Sequence, residues 1–343
     1  MRRLLNTLFI LSEDAYLSLD GENVVINRAQ KEIGRVALHT IESILCFSYA
    51  GASPALMGAC GRKGIDLCFF SPRGRFLART VGNERGNVLL RQEQYRIADR
   101  EDQSISYARN FILGKVYNSR WVLERATRDH PLRMPVGQIK NVSRQLAELL
   151  PQIRQCDTAD ALRGVEGAAA QAYFSQFGHL ILRQKEHFSF AGRNWRPPLD
   201  NINALLSFSY TILALDCAAA LQSVGLDPYV GFMHRPRPGR QGLALDLMEE
   251  LRPICADRFV LSCINQNLMT EKHVQKQESG AVWLTDEGRR TFFSLWQKRK
   301  QEQLKHPFLG DKIQWGLVPY VQALLLARTI RGDMEEYPPF FWK

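Results

Sequence analysis

Through roughly the first eighty residues, apolar side chains recur at every second position, and beyond them the spacing changes to every third or fourth. The first pattern belongs to strands with one buried face, the second to helices. Leu17, Leu19, Val24 and Ile26 flank Asp20-Gly21, a turn pair that closes a two-residue hairpin. Residues 41–47, 65–70 and 76–81 read as further strands, the last entered through the turn Ser71-Pro72-Arg73-Gly74. Among them Ser53 caps and Pro54 opens a short helix through Ala59.

The polar, glycine-bearing stretch 82–87 marks the change of period and predicts a hinge. We therefore expect an α+β chain: a β-rich N-terminal domain over 1–82, a linker over 83–92, and an all-α domain over 93–343. Helices are predicted over 88–98, 104–128, 142–154, 159–177, 202–224, 242–251, 286–303 and 315–330. Ile105, Ala108, Phe111, Ile112, Lys115 and Val116 trace the apolar face of the second. One hairpin is expected at 273–275 and 282–284, around Ser279-Gly280.

Composition narrows the class. With 343 residues and 45% hydrophobic content the chain is an ordinary globular one of about two domains. Its apolar stretches read as too interrupted for a membrane span, and Asn6, Ser12, Glu13 and Asp14 break the N-terminal run before any secretory cleavage site. A cytoplasmic protein with no membrane partner is expected. Seven cysteines without a Cys-x-x-Cys pair read as reduced core thiols. A net charge of +10 favours an anionic partner, nucleic acid first.

Three segments carry candidate chemistry. Glu166 heads a run of glycine and alanines, a surface suited to close helix packing, where a carboxylate would need a cation, a metal or a proton. His234 ends the apolar approach Val230-Gly231-Phe232-Met233 and runs into a loop with Arg235, Arg237 and Arg240. Asp246 and Glu249, three apart, share one face of a helix. A histidine with two or three carboxylates suits Mn²⁺ or Mg²⁺ better than a sulfur-rich zinc site, and the arginines offer forked donors to phosphates. Taken singly, Glu166 is equally an exposed helix former, His234 a satisfied structural histidine, the two acids a solvated face and the arginines an exposed loop. Their combination is what points to metal-dependent phosphodiester chemistry.

Together with other segments these residues resemble a known family along the whole chain: the CRISPR-associated integrase-endonuclease of spacer acquisition, the larger universal protein of the adaptation module. The marks are Gly86-Asn87-Val88-Leu89-Leu90-Arg91 with Gln94-Tyr95, Glu166-Gly167-Ala168, and Pro198-x-x-Asn201-x-Asn203-Ala204-Leu205-Leu206-Ser207 leading to Tyr210. Gly225-Leu226-Asp227-Pro228 before Gly231-Phe232-x-His234, and Leu245-Asp246-Leu247-Met248-Glu249-Glu250-x-Arg252-Pro253, complete them.

The resemblance implies a β domain followed by a helical catalytic domain and one divalent metal, Mg²⁺ or Mn²⁺, held by Glu166, His234 and Glu249, with Asp246 helping or replacing Glu249. It implies homodimers bridged by a dimer of a small adaptation partner into a heterohexamer, acting on double-stranded and branched DNA. The reaction implied is attack of a 3′-hydroxyl on a repeat phosphodiester. Arg193, Trp195 and Arg196 are candidates for DNA contact or a structural clamp, and Tyr210 for the site wall or the core. The run Lys298-Arg299-Lys300 with Lys305 offers either a further DNA contact or a solvated helix face. A stand-alone repair nuclease and a non-catalytic DNA scaffold remain the competing functions.

Overall fold

The structure is a computed structural model and describes residues 6–71, 76–80, 82, 88–194 and 197–343. It divides into two compact units. The first comprises Met1–Arg85, Trp283–Glu302 and Gln314–Leu317, the second Gly86–Val282, Gln303–Ile313 and Val318–Lys343.

In the first unit, strands β1 (Thr7–Ile10), β5 (Ser43–Cys46), β6 (Asp66–Phe70) and β7 (Phe76–Thr80) form one sheet in that order. The pairs β1/β5 and β5/β6 are parallel, and β6/β7 is antiparallel. A second sheet is the meander β2 (Tyr16–Asp20), β3 (Asn23–Arg28) and β4 (Lys31–Ala37). The predicted hairpin has the register that Asp20-Gly21 requires, with Asp20 opposite Asn23 and Gly21 at φ +56°. Helix α1 (Pro54–Lys63) accepts the predicted cap, since Leu56 N donates to Ser53 Oγ at 3.2 Å. The turn expected at 71–74 and the hinge at 83–87 fall largely outside the described residues.

Leu17, Val24, Ile44, Leu56, Cys60 and Leu67 form the core between these layers. Helix α9 (Asp286–Gln301), which the periodicity had left with the helical domain, packs here: Phe293 stacks on Phe9 with ring centroids 4.2 Å apart. A sequence pattern reports which face of a helix is apolar and carries no address for it.

The second unit is built from α2 (Val88–Asp99), α3 (Glu101–Asp129), α4 (Val136–Gln155), α5 (Ala159–Phe177), α6 (Asn201–Ser223), α7 (Gly242–Leu251), α8 (Arg258–Asn265) and α10 (Val318–Ile330). It is predominantly rather than wholly helical. Strands are present at Val274–Lys276 and Val282–Leu284, where the hairpin is expected, while further short strands at Gln303–Lys305 and Lys312–Gln314 are too brief to leave a period of two in the sequence. Helix α6 is long and apolar enough to cross a membrane by length and composition, a stretch the sequence reading passed over. In the structure 61% of that window is buried, the packing of a core helix. All seven cysteines are free, six of them buried.

Candidate active site

Three helices and a loop bring the candidate ligands together. Lys115 lies midway along α3, on the apolar face traced by Phe111, Ile112 and Val116, and only 8% of it is exposed. An ammonium there must be paired. Its Nζ contacts Glu166 Oε1 from α5 and lies 2.7 Å from Glu249 Oε2 on α7. Arg252, just past the end of α7, reaches the other oxygen of Glu249 at 2.9 Å. Glu249 is 4% exposed. Burial alone would raise its pKa; the charges of Arg252, Lys115 and His234 outweigh that and hold it at about 2.

Asp246 does a different job. Fully buried, it accepts backbone N–H bonds from Phe232 (2.6 Å), Met233 (3.0 Å) and His234 (3.0 Å), and its Oδ1 lies 2.5 Å from His234 Nδ1. These four contacts engage both oxygens of Asp246 and fix the ring through Nδ1, leaving Nε2 as its other nitrogen. Burial pulls the His234 pKa down, but the Asp246 bond and charge, with Glu249 behind, raise it. The turn must come this close because residue 231 has no side chain. A Cβ on Gly231 would stand 2.7 Å from Asp246 Oδ2 and 2.6 Å from the carbonyl carbon of Gly242.

The sequence marks on α2 explain how this loop is held. Gln94 donates to the carbonyls of Asp227 and Val230, both at 2.8 Å, and accepts from Asp227 N at 2.9 Å. Arg91 Nε donates to Gly225 O, and Tyr95 OH to Asp227 Oδ2. These residues clamp the segment that delivers His234 rather than reaching the site themselves.

Beyond α7 the chain winds into a π-helical turn, Arg252–Asp257, with Pro253 at its start. It places Arg252 over the Tyr210 ring at 4.7 Å, with Arg193 over the same ring at 5.1 Å. The Tyr210 hydroxyl donates to Asp257. Burial pushes Asp257 up to about 6, against the opposing pull of Tyr210, Arg252 and Arg193.

The other sequence candidates are distributed as follows. Arg235 and Arg237 are exposed on the loop after His234, and Arg240 folds back to the Arg235 carbonyl. Arg193 is half-buried, bonded to Asn203, which in turn is held by Asp200. Trp195 and Arg196 lie outside the described residues. Arg299 pairs with Glu302 and stacks over Trp315, while Lys298 and Lys305 are exposed. The glycine-alanine surface after Glu166 is not a packing seam: Gly167 and Ala168 are exposed, and nothing lies within 4 Å of a Cβ on Gly167. Asp246 and Glu249 are buried, so the solvated-face alternative is excluded. Lys115 and Arg252 were missed as site residues. A lysine inside an apolar helical stripe is the signal that would have found the first.

Among the described residues, no group of three or more His, Cys, Asp or Glu side chains converges at metal-holding geometry, and the ammonium of Lys115 contacts both glutamates. The donors themselves suit a hard divalent ion. They are two carboxylates, an imidazole with its second nitrogen fixed, and a buried Glu249 Oε2 that has an ion contact but no aligned hydrogen-bond donor.

The chain is 45% identical over the full length of both chains to CRISPR-associated endonuclease Cas1 1 of Chlorobaculum tepidum. It is 48% identical, again over both full lengths, to CRISPR-associated endonuclease Cas1 2 of Rhodospirillum rubrum. In fold it matches a casposase bound to integration product at TM-score 0.85 and 21% identity, covering 98% of this chain and 94% of that one. A Cas1 protein from Thermotoga maritima matches at TM-score 0.80 and 19% identity, covering 95% and 97%. The family model for CRISPR associated protein Cas1 matches residues 8–298, and the chain belongs to that family.

Proposed function

We propose that the protein is a divalent-metal-dependent DNA endonuclease and integrase that inserts new spacer DNA into a CRISPR array. The observation that carries this reading is the convergence of Glu166 and Glu249, from two helices, on one buried cationic point beside His234. Family membership supports it, since full-length relatives carry the name endonuclease.

Glu166, His234 and Glu249 would hold Mg²⁺ or Mn²⁺, and the bound ion would supply Lewis-acid polarisation of a phosphodiester. The chain's own residues do the rest. Asp246 keeps the His234 imidazole in one orientation and one tautomer. Arg252 fixes one carboxylate oxygen of Glu249, leaving the other directed at the site. Arg235 and Arg237, exposed beside His234, offer forked donors to the DNA backbone, and Arg193 and Arg240 are further candidates for it. Contacts of this kind make affinity depend steeply on salt and weakly on sequence. The working assembly in this reading is a pair of homodimers bridged by a dimer of a small adaptation partner, with duplex or branched DNA across it. A structural relative solved as a Cas6-RT-Cas1–Cas2 complex supports that choice of partner.

The test is a strand-transfer assay with labelled duplex bearing free 3′-hydroxyls, a supercoiled plasmid carrying a repeat, the small partner, and Mn²⁺ or Mg²⁺. Joined product is expected from the wild type, and none from Glu166→Ala or His234→Ala. Full activity in both variants overturns the site. Cleavage without joining in every condition would replace the integrase with a stand-alone nuclease of repair. Loss of both reactions would leave a DNA-binding scaffold.

A further inference from the structure

Lys115 is the residue whose position the proposed chemistry does not yet account for. A lysine buried this deeply in a helix interior is costly unless its charge is matched, and here it is matched twice. The two carboxylates that pair with it are the same two that the reading above assigns to a divalent ion. One nitrogen in contact with both oxygens occupies the space where an ion bridging them would sit. A +1 group and a +2 ion cannot share that space, since the ammonium already sits at ion-pair distance from both carboxylates and both charges are positive.

We propose that Lys115 is the resident cation of this site: its ammonium holds Glu166 and Glu249 together in the metal-free protein and must swing out when a divalent ion enters. This rests on the reading of Glu166, His234 and Glu249 as ligands. Two consequences follow from the charges alone. Without the ammonium the two carboxylates repel across the gap, compensated on the Glu249 side by Arg252 and the His234 imidazole, so the metal-free fold is weakened. With the ammonium present, only the fraction of molecules that has released it binds the ion, so apparent affinity is reduced by that fraction. The displaced side chain, anchored on α3 and four carbons long, stays beside the site, where it adds a cation next to the position of a substrate phosphate.

The experiment uses the full chain and needs no turnover. Mn²⁺ binding is measured by isothermal titration calorimetry on the wild type, Lys115→Met and Glu166→Gln, together with melting temperature in EDTA and in Mn²⁺. Lys115→Met is expected to melt lower than the wild type in EDTA, to bind Mn²⁺ at least about tenfold tighter, and to gain more in melting temperature from the ion. Glu166→Gln should lose Mn²⁺ binding. Removing a nearby positive charge would by itself tighten binding somewhat, so displacement is read separately on the wild type. Amine-directed acetylation of Lys115, followed by mass spectrometry, should be slow in EDTA and several-fold faster in saturating Mn²⁺. That readout also stands if Lys115→Met does not fold.

Unchanged acetylation in saturating Mn²⁺, or unchanged or weaker Mn²⁺ binding by Lys115→Met, overturns the resident-cation proposal. If Glu166→Gln still abolishes binding in that case, the ligand assignment survives it. Absence of Mn²⁺ binding by both the wild type and Lys115→Met would overturn the proposal together with the reading it rests on.

Discussion

Glu249 and Glu250 are consecutive on α7, 4% and 0% exposed, yet their surroundings drive them in opposite directions. Glu249 meets charge: Lys115 at 2.7 Å, Arg252 at 2.9 Å, and His234 nearby, which together keep it ionised with a pKa of about 2. Glu250 points to the other side of the helix and meets neutral donors. Gln322 Nε2 lies at 3.0 Å, Phe340 N at 2.7 Å, and the Tyr337 hydroxyl also donates to it. Burial dominates there and pushes its pKa up to about 7, the three donors only tempering the rise. One side of α7 is thus an ionic site prepared for cations. The other is a polar knot that ties the segment after α10 to the core, helped by Asn118, which donates to the carbonyls of Glu250 and Phe340, both at 2.7 Å, and accepts from Trp342 N. A single turn of helix can therefore carry an ion-paired carboxylate and one held by neutral donors, and only their neighbours distinguish them.

The sharpest way to break this contrast is to remove the charge from each in turn. Glu249→Gln leaves Lys115 and Arg252 buried with one carboxylate too few, and loss of one partner from a buried ion pair costs about 3–5 kcal/mol. Glu250→Gln keeps the shape and one acceptor oxygen, and loses mainly the bond from Phe340 N, which amounts to about 1–2 kcal/mol. Urea denaturation in EDTA is expected to show this order. Equal losses would mean that the two carboxylates sit in equivalent surroundings.

The same logic extends to pH through Asp257, whose pKa burial lifts from 3.8 to about 6. A carboxyl raised in the folded state binds its proton more tightly there than in the unfolded chain. Its contribution is fully present below pH 3.8 and is lost as pH rises through about 6. Stability of the wild type should therefore fall across that window, the share due to Asp257 being ~3 kcal/mol at most. Glu250 acts in the same direction, whereas Glu249, lowered from 4.5 to about 2, acts oppositely: its contribution is present above pH 4.5 and lost as pH falls through about 2, so it touches only the lower edge of this window. Denaturation midpoints measured from pH 4 to 8 should decline less in Asp257→Asn. An identical decline in both proteins would show that Asp257 is not raised.

Packing on the Glu250 side gives a smaller effect. Gly114 on α3 lies against α7 so closely that a Cβ there would stand 2.6 Å from the Glu250 Cβ and 3.4 Å from the Pro339 Cβ. Alanine gains up to about 1 kcal/mol of helix propensity, while overpacking costs about 1–3 kcal/mol. Gly114→Ala should lose about 2 kcal/mol net or slightly less, and should leave Mn²⁺ affinity unchanged because the strain falls on the Glu250 side. A change in metal affinity would show the two sides to be coupled.

Much of this fold was legible because its elements are long enough to show their period. Helices α3, α5 and α6 and the β2/β3 hairpin fall within a few residues of where the pattern puts them. The short strands β1, Gln303–Lys305 and Lys312–Gln314 were not legible, since three or four residues carry no measurable period, whereas the equally short Val274–Lys276 and Val282–Leu284 were marked by Ser279-Gly280 between them; the π-turn at Arg252–Asp257 left no signal either. At the site, spacing alone put Asp246 and Glu249 on one helix face but could not divide their work. That division comes from the loop before α7, which turns three amides and an imidazole onto Asp246 and leaves Glu249 to the cations. Lys115 was visible as a lysine in an apolar stripe, yet its partners lie 51 and 134 residues further along, so only the tertiary fold could reveal them.

Tyr210 supplies the finest discrimination. From the sequence it suited either a DNA-facing wall or the core, and in the structure Arg193 and Arg252 both stack over its ring while its hydroxyl donates to Asp257. Phenylalanine would keep the ring and both guanidinium contacts, which a π-face provides without the oxygen. Only the bond to Asp257 would go, a loss of about 1 kcal/mol that grows as pH rises and the carboxyl ionises. Tyr210→Phe is therefore expected to lower the denaturation midpoint slightly at pH 5 and more at pH 8, with duplex-DNA affinity in EDTA unchanged. Weakened DNA binding with an unaltered midpoint would return this residue to the DNA-facing wall.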